Sequence, residues 1–240
     1  MTTSTAPVPS ARRDLAPDAS TTRLGAAAGL ASIALVAAGV ALIASAGATF
    51  HSPDSEVLRY YTETGLVRTV AGGLVQALGL LLLLPFAAML AARLTVPGPA
   101  GDVLAPTVRM AATVYVTVCL APGLSAGATA LWLARSRTVD PGIVIALNDV
   151  RSLSYFLALL VFAGLLVAVG AAGLLSGRLP RWASWSAVGI GVALAASVPT
   201  ATAGFADVAG LLGLVWVVAV SVSLLRSPAL DRQPADEPAV

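Results

Sequence analysis

The chain has no lysine, one histidine and one cysteine, and each shortage removes a class of chemistry. Without lysine there is no phosphate-binding P-loop. His51 alone cannot build a bis-histidine haem site or a histidine-rich zinc site, and it reads as a solvated loop residue. Cys119 alone excludes an intramolecular disulfide and a CxxC redox pair. Neither HExxH nor GxSxG occurs. Charge is also scarce: charged residues make up 11% of the chain, against about a quarter in an ordinary soluble domain. The 14 basic residues are all arginine and are scattered, which leaves no nucleic-acid footprint and points to a GC-rich bacterial genome.

Apolar side chain is what the sequence has in quantity. Hydrophobic residues are 58% of the 240 and the mean hydropathy is +0.89, so too little polar surface remains to coat one large soluble core. The apolar residues come in runs of about 20, the length that crosses about 30 Å of hydrocarbon at 1.5 Å per residue. In lipid each backbone N–H and C=O needs a partner within its own segment, so such runs are helices. A β-barrel would instead show alternating segments of about ten residues.

The expected fold is therefore all-α: a polytopic membrane helix bundle of six transmembrane helices with two short extracytoplasmic amphipathic segments. Residues 1–23 and 226–240, rich in Pro and small polar residues, read as disordered cytoplasmic tails flanking a membrane domain at 24–225. The spans are expected at 24–47, 70–92, 110–134, 152–175, 182–203 and 208–225. Ala44-Ser45-Ala46 resembles a signal-peptide cleavage site, but a signal's apolar core is only about 7–15 residues. The first run is longer and reads as a retained anchor. With both termini inside, nine arginines fall on the cytoplasmic side and five outside, so the positive-inside rule favours a bacterial inner-membrane protein with cytoplasmic ends. Trp182 and Trp185 beside Arg181, and Trp132 near Arg135, suit interfacial belts at opposite faces.

Small residues and prolines mark packing. Gly25/Gly29, Gly123/Gly127 and Gly173/Gly177 are GxxxG pairs that let helix backbones approach. Pro122 in the third span lacks a donor and crowds the preceding turn, which predicts a kink. Gln76, Thr113, Tyr115 and Thr117 are expected to make interhelical hydrogen bonds. No internal repeat of the transporter kind is evident, and no Asp or Glu lies deep in a span, which argues against a proton pump.

Two polar islands carry the functional reading. Residues 51–63 begin with Ser52 as N-cap and Pro53 as first helical residue, carry Asp54 and Glu56 in the first turn, and meet Gly65 as a stop. At 100° per residue Val57, Leu58 and Tyr61 share one arc, with Glu56, Arg59, Tyr60 and Glu63 on the other, as in a short helix lying on a membrane surface. In the second island Asp140-Pro141 is another cap-plus-proline start, and its helical pattern runs toward the fourth span. Asn148, Arg151, Ser152 and Tyr155 stand at i, i+3, i+4 and i+7, with Asp149 one step round. A polar stripe at a membrane end should face protein or water rather than lipid. It serves either a structural network or a ligand site. Asp207 is expected to cap the sixth helix at the same end, and Arg151 to pair with Glu56 or Asp149. The ligand-binding candidates are thus Asn148, Arg151, Ser152, Tyr155, Asp149, Glu56, Arg59 and Asp207.

The segment Ala146-Leu147-Asn148-Asp149-Val150-Arg151, followed by Ser154-Tyr155-Phe156, and the segment Gly177-Arg178-Leu179-Pro180-Arg181-Trp182 resemble uncharacterised six-helix integral membrane proteins of actinobacteria. The likeness spans residues 24–225 and implies the same architecture. It implies no activity and no catalytic residue. The expectation is a protein without enzymatic motifs, cofactor or metal, embedded in the lipid bilayer and binding a small molecule or protein partner at its outer face. A small-solute transporter is the alternative, and a membrane enzyme acting on a lipid headgroup through Glu56 and Asp149 the third.

Overall fold

The computed structural model describes residues 19–43, 52–63, 65–95, 98–135, 139–198 and 203–226, with no strand among them. The helices are α1 (Ala19–Ile43), α2 (Asp54–Glu63), α3 (Leu66–Arg93), α4 (Pro99–Val118), α5 (Ser125–Leu133), α6 (Pro141–Ser176), α7 (Arg181–Ser197) and α8 (Ala203–Arg226). A π-helical turn at Cys119–Leu124 joins α4 to α5. Five helical stretches are long and apolar enough to cross a membrane: α1, α3, the continuous Pro99–Leu133 stretch, α6 and α8. The remaining expected span is α7, which has 17 residues.

Several boundaries differ from expectation. α1 starts at Ala19, inside the segment assigned to a tail, and the rest of both tails, the 44–47 end of the first expected span with Ala44-Ser45-Ala46, and His51 lie outside the described residues. Helix α2 takes its first hydrogen bonds on the Pro53 carbonyl, from Glu56 and Val57, so Pro53 rather than Ser52 sits at the cap. Gly65 is not a left-handed stop; at φ −65° it is the N-cap of α3, and its carbonyl accepts from Thr69. The second island is no separate segment: its helix runs unbroken through α6, 36 residues in all. The start does follow the expected chemistry, with Asp140 Oδ1 accepting from the Gly142 N–H at 2.8 Å and Pro141 in the first turn.

Close backbone approach organises the bundle. α1 and α3 run antiparallel, a Cβ on Gly39 falling 2.6 Å from the Gly72 carbonyl and one on Gly79 2.8 Å from the Ser32 carbonyl. Gly25, Ser32 and Gly39 repeat every seven residues, as do Gly72, Gly79 and Phe86, the period of a left-handed crossing. The GxxxG pair of α1 faces two partners, Gly25 meeting Met89 and Gly29 meeting Phe86 and Ser221. On the other side Gly170 of α6 lies against the Ser184 carbonyl of α7, and Gly191 of α7 against the Ala163 carbonyl of α6. Gly177 makes no such contact. It is the left-handed C-cap of α6, at φ 64°, where a side chain would be strained.

Pro122 falls in the π turn, and Ser125 N–H reaches back to the Leu120 carbonyl. The proline's missing donor is thus absorbed by a wider turn. Thr113 bonds the Arg109 carbonyl of its own helix rather than a neighbour. The interior is apolar, with Phe86 and Leu90 of α3, Phe162 and Leu166 of α6, and Trp216 and Val217 of α8 in one buried cluster. Trp216 satisfies its indole N–H on the Ala183 carbonyl at 2.8 Å. Trp132, Trp182 and Trp185 are all exposed, as interfacial anchors should be.

The α1–α3 contact yields a paired prediction. Gly72→Leu drives a side chain into Gly39 and Ile43, and should cost about 1–3 kcal/mol of stability. Gly73→Leu, beside it with open space, should change thermal stability in detergent little. Equal losses in the two variants would contradict the close approach.

Candidate functional site

The two polar islands meet at one end of the bundle. Helix α2 lies across α5 and α6, burying Val57 and Tyr61 in a satellite core with Ala130 and Leu131 of α5 and Val144 of α6. The expected apolar arc is the docked one, with Leu58 packed at its edge. Asp54, Glu56, Arg59 and Glu63 remain exposed on the far side.

Beneath α2 is a small polar network. Asn148 is 0% exposed, and its Oδ1 accepts two hydrogen bonds, from the Tyr61 hydroxyl at 3.2 Å and from Arg151 Nη2 at 3.2 Å. The Arg151 guanidinium also lies 6.0 Å from the centroid of the Tyr60 ring, within range of a cation–π attraction. Tyr60 and Tyr61 are edge-to-face, with centroids 4.9 Å apart. Gly127 makes room for the arginine: a Cβ there would stand 2.9 Å from Arg151 Cδ. In the expected Gly123/Gly127 pair, Gly127 thus admits a charged side chain rather than a neighbouring backbone. Arg135 fastens the end of α5 to α2, Nη1 donating to the Leu131 carbonyl at 2.8 Å and the Tyr61 carbonyl at 3.3 Å.

These contacts decide much of the candidate list. Asn148 and Arg151 come together, joined by Tyr60 and Tyr61, which had been assigned only to the two arcs of α2. A polar hydroxyl on the apolar arc was the available signal, since a buried tyrosine O–H needs a partner. The expected Arg151 pairing with Glu56 or Asp149 is not carried by these contacts; Glu56 is exposed and Asp149 half-buried. Tyr155 leaves the stripe for another neighbour, its hydroxyl donating to Asp207 Oδ1 at 2.5 Å. Asp207 is therefore no cap: α8 starts four residues earlier, at Ala203, and its carboxylate ties α8 to α6. Ser152 is half-buried and Arg59 exposed, and neither is drawn into these two groups.

The amide nitrogen of Asn148 is left over. Asn148 Nδ2 is buried and has no hydrogen-bond partner. A buried donor without an acceptor costs about 1–3 kcal/mol. Turning the amide round does not help, because Nδ2 would then face the Arg151 guanidinium, which can only donate.

The interior below the network is apolar. Two small cavities, each with about 10 Å³ of room, are lined by Leu179, Ala183 and Leu224, and by Phe86, Phe162 and Trp216, among others; neither borders Asn148. Among the described residues no three His, Cys, Asp or Glu side chains converge in a metal-sized group. No protein-family model, curated protein or solved structure matches this chain.

Burial raises the pKa of Tyr61 above the ordinary tyrosine value, an effect that Arg151 opposes and Tyr60 reinforces. The stabilisation from its protonated form is present below the ordinary phenol pKa of about 10 and is lost as pH rises through the higher folded value. An alkaline difference titration of wild type minus Tyr61→Phe should show a phenol ionising late. An ordinary tyrosine curve would place Tyr61 in solvent. Gly127→Leu should displace Arg151 and lower stability by about 1–3 kcal/mol, whereas Gly127→Leu with Arg151→Ala should recover part of the loss in a thermal melt.

Proposed function

We propose that the chain is a non-enzymatic, six-span protein of a bacterial cytoplasmic membrane that binds a ligand or partner at its extracytoplasmic face, where α2 covers the Asn148 network. Both termini are then cytoplasmic, and α7 is the remaining span; its 17 residues stand at the short end of the range of about 17–25 that crosses a bilayer. The observation that carries the reading is the covered network: a short helix with a charged outer arc, seated by a buried asparagine and an arginine on the hub helix of the bundle. A resemblance to six-helix actinobacterial proteins would imply the same architecture.

A transporter needs a continuous polar path. Among the described residues the segment between the Asn148 network and Arg93, buried at the C-terminal end of α3, is filled by Leu159, Phe162, Leu166 and Val169 with Phe86 and Trp216, which favours binding over transport. A headgroup enzyme needs carboxylates held in a cleft. Glu56 instead sits on the exposed arc of α2.

Two measurements test this reading. In a Cys119→Ser background, cysteines placed at Glu63 and Arg226 should label from opposite sides of intact cells or inverted vesicles, Glu63 from outside. Labelling of both from one side would reject the topology. Arg151→Ala should then reduce a component that co-purifies in mild detergent, read by mass spectrometry, more than it lowers the melting temperature. The reverse ranking would assign Arg151 to structure alone.

A further inference from the structure

Resting on the binding reading above, we infer that the space between α2, α5 and α6 is a site for an oxyanion, taken up by the Asn148 amide N–H₂ group beside the Arg151 guanidinium when α2 lifts. The residue choice points there. Asn148 Oδ1 already receives the Tyr61 hydroxyl and Arg151 Nη2, and an aspartate in its place would accept both and offer Arg151 an opposite charge. Asparagine instead places two further N–H donors next to the guanidinium, and these donors are buried with no acceptor. A surplus of donors around a positive charge is the chemistry that recognises a carboxylate or phosphate oxygen.

The surroundings allow it. The α5 residue against Arg151 is Gly127, so at that position no side chain has to move. Helix α2 buries only Val57 and Tyr61, and the Tyr61 hydroxyl bond to Asn148 is the latch at its end. Nδ2 has no open space in the docked arrangement, so entry requires that latch to release. The oxyanion then accepts from Asn148 Nδ2 and the Arg151 guanidinium, while Asn148 Oδ1 keeps its bond from Arg151 Nη2.

A free phosphate and the phosphate of a lipid headgroup offer the same oxygens, and the test separates them. Thermal unfolding is followed in detergent with inorganic phosphate against chloride at equal ionic strength and pH, and in nanodiscs of phosphatidylglycerol against phosphatidylcholine. Each is run on wild type and Asn148→Asp. A midpoint raised several degrees by phosphate in wild type and unmoved in N148D identifies a free oxyanion. The same pattern only with phosphatidylglycerol identifies the phosphate of an anionic lipid, that of phosphatidylcholine being neutralised by its own ammonium group. Equal shifts in both proteins, or none in wild type, overturn the proposal. N148D keeps both accepted hydrogen bonds and should fold; if it does not, Asn148→Ser, which lacks the N–H₂ group, takes its place in every arm. The outcome is separable from that of the function proposed above. A co-purifying component lost in R151A without any oxyanion response leaves outer-face binding standing with another ligand, whereas inverted cysteine labelling removes the outer face and leaves the oxyanion chemistry to be judged by its own arms.

Discussion

Backbone-to-backbone approach between helices is the interaction on which this bundle depends. Lipid tails are as apolar as leucine, so the hydrophobic effect that drives a soluble core gives little reason for two such helices to associate. Contact area and fit must supply it. In α1 and α3 the fit comes from Gly39 against Gly72 and Gly79 against Ser32, and in α6 and α7 from Gly170 and Gly191, each set against a partner carbonyl. The large side chains go where such pairs leave a gap, and Phe86, Phe162 and Trp216 fill the middle. Small residues set the spacing and aromatic residues take up what remains.

The end carrying α2 obeys a different rule. There the packing is polar, and geometry is set by which donor finds which acceptor. One amide oxygen serves a tyrosine and an arginine, a glycine clears a lane for the arginine stem, and a second arginine holds two helix ends by their carbonyls. Such networks are worth most when every member is satisfied. Asn148 Nδ2, buried without an acceptor, is the feature that distinguishes a candidate site from a brace.

Much of the architecture was readable from solvent physics alone. Runs of apolar residues near the length of a bilayer crossing specify helices, and five stretches follow. α7 was harder, because its flanking residues are apolar enough to extend a hydropathy run past the last helical turn at Ser197. The small-residue pattern was legible only in part. A search for glycines four apart within one helix finds Gly25/Gly29 and Gly123/Gly127, but misses the seven-residue repeats of Ser32 and Gly39 and of Gly72 and Gly79, which become a pattern only when two helices are laid antiparallel. It also takes in Gly177, whose role is a turn. For the site, the period of the Asn148–Tyr155 stripe correctly joined Asn148 with Arg151. It could not show that one helix face is shared by two neighbours, α2 with α5 on one side and α8 on the other, so that Tyr155 goes to Asp207. Tyr61 was hidden by its own chemistry: an arc counted as apolar can carry a hydroxyl at its edge.

The length of α6 has a consequence for where the polar network stands. Its 36 residues extend about 54 Å at 1.5 Å per residue, against a hydrocarbon layer of about 30 Å. A helix that long tilts or protrudes. With its Ser176 end at one boundary and little tilt, the hydrocarbon would run out near Phe156, and Asn148 would stand about 12 Å beyond it. That is past the headgroup layer, which adds only about 5–8 Å on each side, so tilt is what would lower Asn148 to the level of the phosphates. Bilayer thickness then becomes a variable of the network: a thicker membrane draws Tyr155 and Arg151 toward the acyl chains, a thinner one lifts them clear, and the helix transmits the difference rigidly to the roof above.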